Sequence, residues 1–198
     1  MNIGIDIDDT ISETYETVVP YSQKYIVKDL HKKPQLDYKA ECKTHFYVET
    51  VNHWNEEERK GFWNKYYGEM LKIINIKKFA AETINQLKRE GHKIFIITAR
   101  WDLEGQDTKQ ITTDWLARNN VNYDELIINA DDKLSIVKEK KIDLFIDDSF
   151  DNCKKIADNL NIKVWLMHSN TNGNLSTDGV KRVFSWPEIK YLIENEDK

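Results

Sequence analysis

The sequence predicts a three-layer α/β fold, in which helices cover both faces of a parallel β-sheet. Two observations lead to this prediction: short apolar runs recur along the chain, and amphipathic helical patterns lie between most of them. Strands that are buried on both faces read as continuous apolar segments rather than alternating ones. The five runs are NIGID (2–6), KIFIIT (93–98), ELIIN (125–129), DLFID (143–147) and KVWLM (163–167).

The interval after the first apolar run is much longer than a simple crossover between strands requires. Its clearest part is the segment NEEERKGFWNKYYGEMLKII, where Asn55 is a predicted N-cap and Glu58 completes a capping box. The apolar residues of this segment come in adjacent pairs, which form a stripe wider than one contact face needs. We therefore predict a helical module over residues 15–77, inserted into a core formed by residues 1–14 and 78–198.

The remaining helices follow from periodicity and from stop signals. A helix is expected over residues 78–90 and ends at Gly91, and a second is expected over 150–160. The segment SWPEIKYLIEN predicts a last helix with Ser185 as its cap. Residues 170–176, which are polar and contain a glycine, are expected to form a mobile surface loop.

Composition limits the classes of function. The chain has 198 residues, a formal net charge of −5 and a pI near 5.6, which argues against binding to nucleic acid polymers or to membrane surfaces. Cys42 and Cys153 lie far apart in sequence and match no disulfide framework or metal spacing. The sequence shows neither a signal-peptide pattern nor an apolar run of membrane-spanning length, so a cytoplasmic location is expected.

Charged and polar residues follow the ends of the predicted strands. They are Asp6 and Asp8 after the first strand, Thr98 at the end of the second, Lys133 before the fourth, and Asp147 and Asp148 at the end of the fourth. In a parallel sheet these residues gather at one edge, where ligands bind. Two like charges 4 Å apart repel by on the order of 4 kcal/mol at an effective dielectric of 20. A divalent cation removes this penalty, and oxygen ligands favour Mg²⁺.

A pocket with these groups suits phosphoryl transfer. A cation and Lys133 would offset the charge of a phosphate, and Thr98 would donate a hydrogen bond to a phosphoryl oxygen. One carboxylate of the Asp-x-Asp pair can attack phosphorus and form an aspartyl-phosphate. The other, two residues away, can serve as general acid and base. The spacing therefore predicts a covalent phosphatase mechanism.

The ordered set Asp-x-Asp-x-Thr (6–10), Thr98, Lys133 and Asp147-Asp148 resembles the motifs of the haloacid dehalogenase-like (HAD) phosphohydrolases. The resemblance spans almost the whole core and implies a HAD-like Rossmannoid fold. It also implies that Asp6 is the nucleophile and Asp8 the general acid/base. Thr98 and Lys133 would then hold the phosphoryl group.

The same resemblance implies a set of Mg²⁺ ligands. In these enzymes the metal is usually bound by the carboxylate of the nucleophile, here Asp6, and by the backbone carbonyl of the second aspartate, here Asp8. One acid of the last motif completes the set. By this resemblance that acid is Asp148, and Asp147 is either a further ligand or a partner of the ligands.

The insert over 15–77 resembles the type 1 cap of this superfamily, a lid over the site. Cap length, chain length and the segment IDDSFDNC are most similar to the 5′(3′)-deoxyribonucleotidase group. This resemblance implies Mg²⁺-dependent hydrolysis of a nucleoside monophosphate. A sugar phosphate or another small phosphoester is the alternative substrate. Base, sugar, 5′ or 3′ preference and homodimer formation are left open.

A phosphoacceptor signalling domain is a remote alternative, because it also gathers acidic residues, a hydroxyl and a lysine around Mg²⁺. In such domains, however, the acidic pair usually precedes the phosphorylated aspartate, whereas here it comes last. A capping module of about sixty residues after the first strand is also foreign to them. The sequence therefore favours an enzyme.

Other residues carry weaker expectations. Arg100 is expected either to contact substrate phosphate or the cap, or to form a surface salt bridge. Asp9 is expected to be structural, and Thr10 to tie the turn after the nucleophile. Most cap aromatics should form the core of the module, with one or two facing the cleft. These aromatics are Phe46, Tyr47, Trp54, Phe62, Trp63, Tyr66 and Tyr67.

Overall fold

The computed structural model describes residues 1–34, 47–173, 176–177 and 179–195. Cys42, Phe46 and the side chain of Tyr47 lie outside the described residues, so the expectations for them are not addressed. Within the described part of the chain, six parallel strands form one sheet in the order β3-β2-β1-β4-β5-β6. The strands are β1 (Asn2–Ile5), β2 (Lys93–Ile97), β3 (Glu125–Ile127), β4 (Leu144–Asp147), β5 (Lys163–Met167) and β6 (Lys181–Val183).

The strand order places a topological switch point between β1 and β4. The chain runs outward from β1 through β2 to β3, then returns to place β4 on the other side of β1. Ile5 of β1 is in register with Ile146 of β4, and the Asp6 N–H donates to the Ile146 carbonyl at 2.9 Å. The residues that follow these two strands are therefore neighbours, which is where ligands bind in such sheets.

The predicted fold class is confirmed, and all five predicted strands form. The sixth, β6, was not predicted, because KRV is three residues long, carries two charges and lies at the edge of the sheet. Charged, short edge strands lack the apolar run that marks a buried strand.

Helices lie between the successive strands from β1 to β5, as the periodicity indicated. They are α1 (Thr14–Lys28), α2 (Tyr47–Val51), α3 (Glu56–Ile73), α4 (Ala80–Arg89), α5 (Thr108–Arg118), α6 (Lys133–Glu139), α7 (Phe150–Asn159) and α8 (Trp186–Asn195). Gly91 follows α4 at φ +90°, the left-handed conformation that favours glycine after a helix. Ser185 caps α8 by accepting from the Glu188 N–H at 3.3 Å.

Helices α1, α2 and α3 lie between β1 and α4 and share an aromatic core. Asn55 caps α3 in the predicted capping box: its side chain accepts from the Glu58 N–H at 3.0 Å, and the Glu58 carboxylate accepts from the Asn55 N–H at 3.1 Å. Phe62 is fully buried and packs against Tyr25 and Trp54, with ring centroids 5.6 and 4.9 Å away. Most of the aromatic residues in this region are therefore structural, as expected.

Two paired segments connect these three helices to the sheet layer. Ser12 and Ile76 form an antiparallel bridge. Beside them the Glu13 N–H donates to the Asn75 carbonyl at 2.9 Å, and the Lys77 N–H donates to the Ile11 carbonyl at 2.8 Å. We call this pair of segments, residues 11–13 and 75–77, the neck. The chain leaves β1 for α1 and returns to α4 through it.

Candidate active site

Three carboxylates converge where β1 and β4 end. Asp6 directly follows β1, Asp147 is the last residue of β4, and Asp148 comes next. One carboxylate oxygen of each lies within 4.8 Å of the others, and all three residues are buried. The structure thus brings together the acidic groups that the strand-end pattern indicated. Repulsion between them requires positive charge in the same place.

Lys133 supplies part of that charge. It is the first residue of α6, is 4% exposed, and its Nζ donates to Asp6 Oδ1 at 2.6 Å and to Asp147 Oδ2 at 2.8 Å. Burial favours the neutral amine, but the carboxylates of Asp147 and Asp6 outweigh it and raise the pKa of Lys133. Lys133 therefore stays charged. Lys138, a second lysine on α6, is exposed.

Asp147 and Asp148 differ sharply in their surroundings. Asp147 Oδ1 accepts from the Ser149 N–H at 2.8 Å, and Oδ2 accepts from Lys133 and from the Asn152 amide at 3.2 Å. The Asp148 carboxylate accepts no hydrogen bond from any described residue, although Asp148 is only 5% exposed. Burial, together with neighbouring carboxylates, raises its pKa well above the ordinary value.

This difference tests whether a cation fits the site. A buried carboxylate without a donor is costly unless a cation neutralises it. Burial raises the pKa of Asp6 to about 7, with Asp147 and Asp8 adding to the effect of burial and Lys133 opposing it. Asp6 and Asp148 therefore both offer oxygen atoms that a hard divalent cation would satisfy. The residues present fit a metal ion.

Asp8 faces a different partner. Arg100 donates from Nε and Nη2 to the two Asp8 carboxylate oxygens, each at 2.9 Å, and the Thr14 hydroxyl donates to Oδ1 at 2.8 Å. Burial works to raise the pKa of Asp8, but the Arg100 guanidinium and the Thr14 hydroxyl outweigh it and lower the pKa. Asp8 is thus held as a carboxylate in a fixed orientation.

Arg100 itself is buried, with only 3% exposure, which makes the alternative of a surface salt bridge wrong. Its Nη1 donates to the Thr112 hydroxyl at 3.5 Å, and its guanidinium lies 5.5 Å from the centroid of the Trp115 ring. Arg100 also borders the cleft described below. Its contact with substrate stays a prediction.

Thr98, Asp9 and Thr10 lie around the same strand ends. Thr98 is buried, borders the cleft, and its hydroxyl accepts from the Arg100 N–H at 3.3 Å. Asp9 has a positive φ of 56° and accepts from the Tyr15 N–H at 2.8 Å, which agrees with the expected structural role. Thr10 ties the turn through its backbone N–H, which donates to the Ile7 carbonyl at 3.2 Å. Its buried hydroxyl has no hydrogen-bond partner among the described residues.

A cleft of about 500 Å³ opens above these groups. Its other wall is formed by α3 and by the segment after β2, and the aromatic residues there include Trp63, Tyr67 and Trp101. Tyr67 and Trp101 stack with centroids 4.3 Å apart and an angle of 16°, and the Trp101 N–H donates to the Tyr67 hydroxyl at 3.1 Å. Trp63 meets the edge of Trp101 at 5.5 Å. The expectation that one or two of the aromatics face the cleft is confirmed for Trp63 and Tyr67.

Trp101 and Arg59 are among the residues that line this cleft but were not predicted from the sequence. Trp101 directly follows Thr98-Ala99-Arg100, and that position could have singled it out. Arg59 lies on α3, where its side chain makes two hydrogen bonds of 2.8 Å to Glu56. Arg59 could not be singled out from the sequence, because nothing in the charged run NEEERK distinguishes it from its charged neighbours.

The family model described as "5′ nucleotidase, deoxy (Pyrimidine), cytosolic type C protein" matches residues 1–197. The chain belongs to this nucleotidase family. Together with the fold, this makes the protein a HAD-like phosphoric monoester hydrolase.

Curated relatives of similar length agree with this assignment. The chain is 29% identical over 199 residues to the Bacillus subtilis protein named "Putative nucleotidase YqfW", covering 98% of this chain and 94% of the relative. It is 25% identical over 195 residues to a nucleotidase of Clostridium acetobutylicum, with 98% and 94% covered.

Solved structures show the same fold at low sequence identity. A predicted phosphoglycolate phosphatase from Haemophilus somnus superposes with a TM-score of 0.70 at 16% identity, covering 97% of each chain. A HAD-superfamily hydrolase of subfamily IA from Geobacter sulfurreducens gives a TM-score of 0.64 at 14% identity, covering 96% of the nucleotidase and 98% of that chain. Among the helices that the structure describes, none is both long and apolar enough to cross a membrane.

Proposed function

We propose that the nucleotidase hydrolyses nucleoside monophosphates in the presence of Mg²⁺, through an aspartyl-phosphate on Asp6. The observation that carries this proposal is the composition of the cleft. Its floor combines Asp6, a charged lysine and a carboxylate without a donor, and its opposite wall is aromatic. The floor suits a phosphate and a cation, and the wall suits a flat base.

The metal would be held by the carboxylates of Asp6 and Asp148 and by the backbone carbonyl of Asp8. Asp147 is proposed as a partner of Lys133 rather than a direct ligand, because three donors already occupy its two oxygens. When bound, Mg²⁺ would offset the negative charge of the phosphoryl oxygens. Lys133 adds a second positive charge on the side of Asp6 that faces β4.

In the first step an Asp6 carboxylate oxygen attacks phosphorus and the bond to the leaving oxygen breaks. Asp8 acts in this step in its protonated form, which is the minor form because Arg100 and Thr14 lower its pKa, and it gives its proton to that oxygen, so the nucleoside leaves as an alcohol. In the second step Asp8 takes a proton from a water molecule, whose oxygen attacks the phosphorus. Asp6 is released, phosphate forms and Asp8 is again protonated. Arg100 and Thr14 orient the Asp8 carboxyl group through both steps.

The phosphoryl oxygens would be held by Thr98 and Lys133, with Arg100 at the border of the same space. The pKa of Lys133 is raised, so it remains a donor and a positive charge throughout. Residues 15–77 are proposed to act as a cap. Closing α3 onto the sheet edge would exclude water from the phosphoryl group, and reopening would release the products.

The aromatic wall favours a nucleotide over a sugar phosphate. Trp63, Tyr67 and Trp101 present ring surface to the cleft, and stacking of a base on an aromatic side chain contributes ~1–3 kcal/mol. A sugar phosphate offers no flat ring system for this surface. The proposed cytoplasmic location follows from the sequence and from such a soluble substrate.

The test is phosphate release across ribo- and deoxyribonucleoside monophosphates and sugar phosphates, each with Mg²⁺ and with EDTA. We expect Mg²⁺-dependent turnover of nucleotides, reduced to background in Asp6→Asn. The matched control is Asp143→Asn. Asp143 accepts from the Asn2 N–H at 2.7 Å at the amino ends of β1 and β4, away from the cleft, so this substitution should leave turnover intact. Turnover of sugar phosphates alone would refute the substrate class, and full activity of Asp6→Asn would refute the mechanism.

A further inference from the structure

The segment after β5 contains a buried asparagine that the sequence analysis assigned to a mobile surface loop. Asn172 is only 2% exposed, and it lies beside the end of β4 rather than in solvent. We propose that Asn172 is a positioning residue for the Asp148 carboxylate, and hence for metal binding. The inference rests on the proposed role of Asp148 as a metal ligand.

Every polar atom of the Asn172 side chain has a partner. Nδ2 donates to the backbone carbonyl of Asp148 and to that of Met167, both at 2.7 Å. Oδ1 accepts from the Ser169 N–H at 3.1 Å and from Arg182 Nη1. Arg182 Nη2 also donates to the Asn172 backbone carbonyl at 3.1 Å. One amide group thus joins the carboxyl ends of β4 and β5, and β6 holds it in place.

The position of the Asp148 side chain depends on its backbone contact more than the positions of the Asp6 and Asp147 side chains do, because those two have partners of their own. Lys133 fixes the side chain of Asp6, and three donors fix that of Asp147. No described residue donates to the Asp148 carboxylate, so its position is set by its own backbone. Asn172 holds the carbonyl of that residue, and therefore the direction in which the side chain leaves the chain. Groups that orient metal ligands typically change metal affinity by about 10–100-fold when they are removed.

The adjacent residue supports a functional location for this segment. Thr171 borders the cleft, and its hydroxyl lies 2.9 Å from the hydroxyl of Ser169. The segment 168–172 therefore closes one side of the site, next to the motif after β4. A freely moving surface loop could not hold Asp148 in this way.

The experiment compares Asn172→Leu with Asn2→Leu. The Asn2 side-chain amide also donates to two backbone carbonyls, those of Lys140 and Lys141 at 3.2 and 3.0 Å. Asn2 lies at the amino end of β1, however, away from the carboxylates. Both substitutions keep the approximate size of the side chain and remove its hydrogen bonds. The metal-free protein is titrated with MgCl₂ while the thermal midpoint is recorded, so the Mg²⁺ dissociation constant, fitted from the logarithmic rise of stability with Mg²⁺ concentration, and the stability of the metal-free protein come from one measurement.

We expect Asn172→Leu to raise the Mg²⁺ dissociation constant by about 10–100-fold, whereas Asn2→Leu leaves it within about twofold of the parent. Arg182→Gln, which loosens Asn172 without touching Asp148, should raise it by a smaller factor and serves as the second variant if Asn172→Leu does not fold. Unchanged Mg²⁺ affinity in the folded Asn172 and Arg182 variants would overturn the inference, as would a parent protein that binds no Mg²⁺. A parent that binds Mg²⁺ but hydrolyses no nucleotide would overturn the proposed function, while the Mg²⁺ titration would still decide this inference.

Discussion

At the scale of single residues, Asp8 and Arg100 form a two-point polar contact within the site. Arg100 Nε donates to Asp8 Oδ2 and Arg100 Nη2 donates to Asp8 Oδ1, and Arg100 is buried. Two-point contacts of this kind fix the plane of the carboxyl group as well as its distance. Because Asp8 is the proposed acid and base, its orientation decides whether a proton reaches the leaving oxygen.

We expect Asp8→Asn and Arg100→Met to be coupled in their effect on the free energy of unfolding. Each substitution alone leaves a charged partner without its counterpart, so the double variant should lose less stability than the sum of the two. A coupling free energy of about 1 kcal/mol or more is expected from contacting residues, measured by urea denaturation of the four proteins.

The control for this cycle is the ion pair between Lys88 and Asp124, which has a similar distance of 2.6 Å but lies nearer the surface. Exposed pairs typically contribute roughly 0.2–1 kcal/mol, because solvent screens them. Equal coupling free energies in the two pairs would mean that the burial of Arg100 does not strengthen its interaction with Asp8.

At the scale of elements, α3 and the segment after β2 meet over the cleft. The contact consists of the stacked rings of Tyr67 and Trp101, and Trp63 lies against the edge of Trp101. Helix α3 begins at a capping box and carries Trp63 and Tyr67 on the side that faces the sheet edge. Two separate parts of the chain thus build one aromatic wall.

Trp101→Ala should lower kcat/KM for nucleoside monophosphates by about tenfold or more, because stacking on a base contributes ~1–3 kcal/mol. For ribose 5-phosphate, which has no base, kcat/KM should change by less than about twofold. Steady-state kinetics on both substrates provide the comparison. An equal loss of kcat/KM on both substrates would indicate that Trp101 stabilises the structure of the site and does not stack on the base.

The elements also show what the sequence could and could not predict. The positions of Asp6, Thr98, Lys133 and Asp148 followed from topology alone, because parallel strands end at one edge of the sheet. The pairing of Asp8 with Arg100 could not be predicted, because it depends on the directions in which both side chains point, and strand spacing does not specify these directions. The role proposed for Asn172 depends on a contact with β6, which the sequence did not predict because this edge strand has no apolar pattern.

At the scale of the whole molecule, the sheet layer and α3 share one apolar core. Ile5 and Ile7 belong to the same buried cluster as Met70 and Leu71 of α3. The indole N–H of Trp115 on α5 donates to the Ile74 carbonyl just after α3 at 2.7 Å. Loss of α3 from this core would expose the apolar surface of α3 and that of the sheet layer at once.

We therefore expect thermal unfolding in one cooperative transition rather than separate melting of residues 15–77. The calorimetric enthalpy should equal the van't Hoff enthalpy, as in two-state unfolding. Differential scanning calorimetry of the full chain in EDTA makes the comparison without a contribution from metal. Two resolved peaks, or a van't Hoff enthalpy well below the calorimetric one, would contradict this expectation.

The neck has a consequence for how such a protein can diverge. Because Ser12 and Ile76 are paired, the segment between them starts and finishes at nearly the same point in space. Changes in the length or sequence of this segment that keep the buried contacts of α3 therefore leave both ends of the neck in place beside β1. With the proposed cap and the proposed reacting groups on opposite sides of the neck, selection can remodel the recognition of a substrate while those groups stay fixed, and enzymes with different preferences can inherit the same arrangement of strand ends.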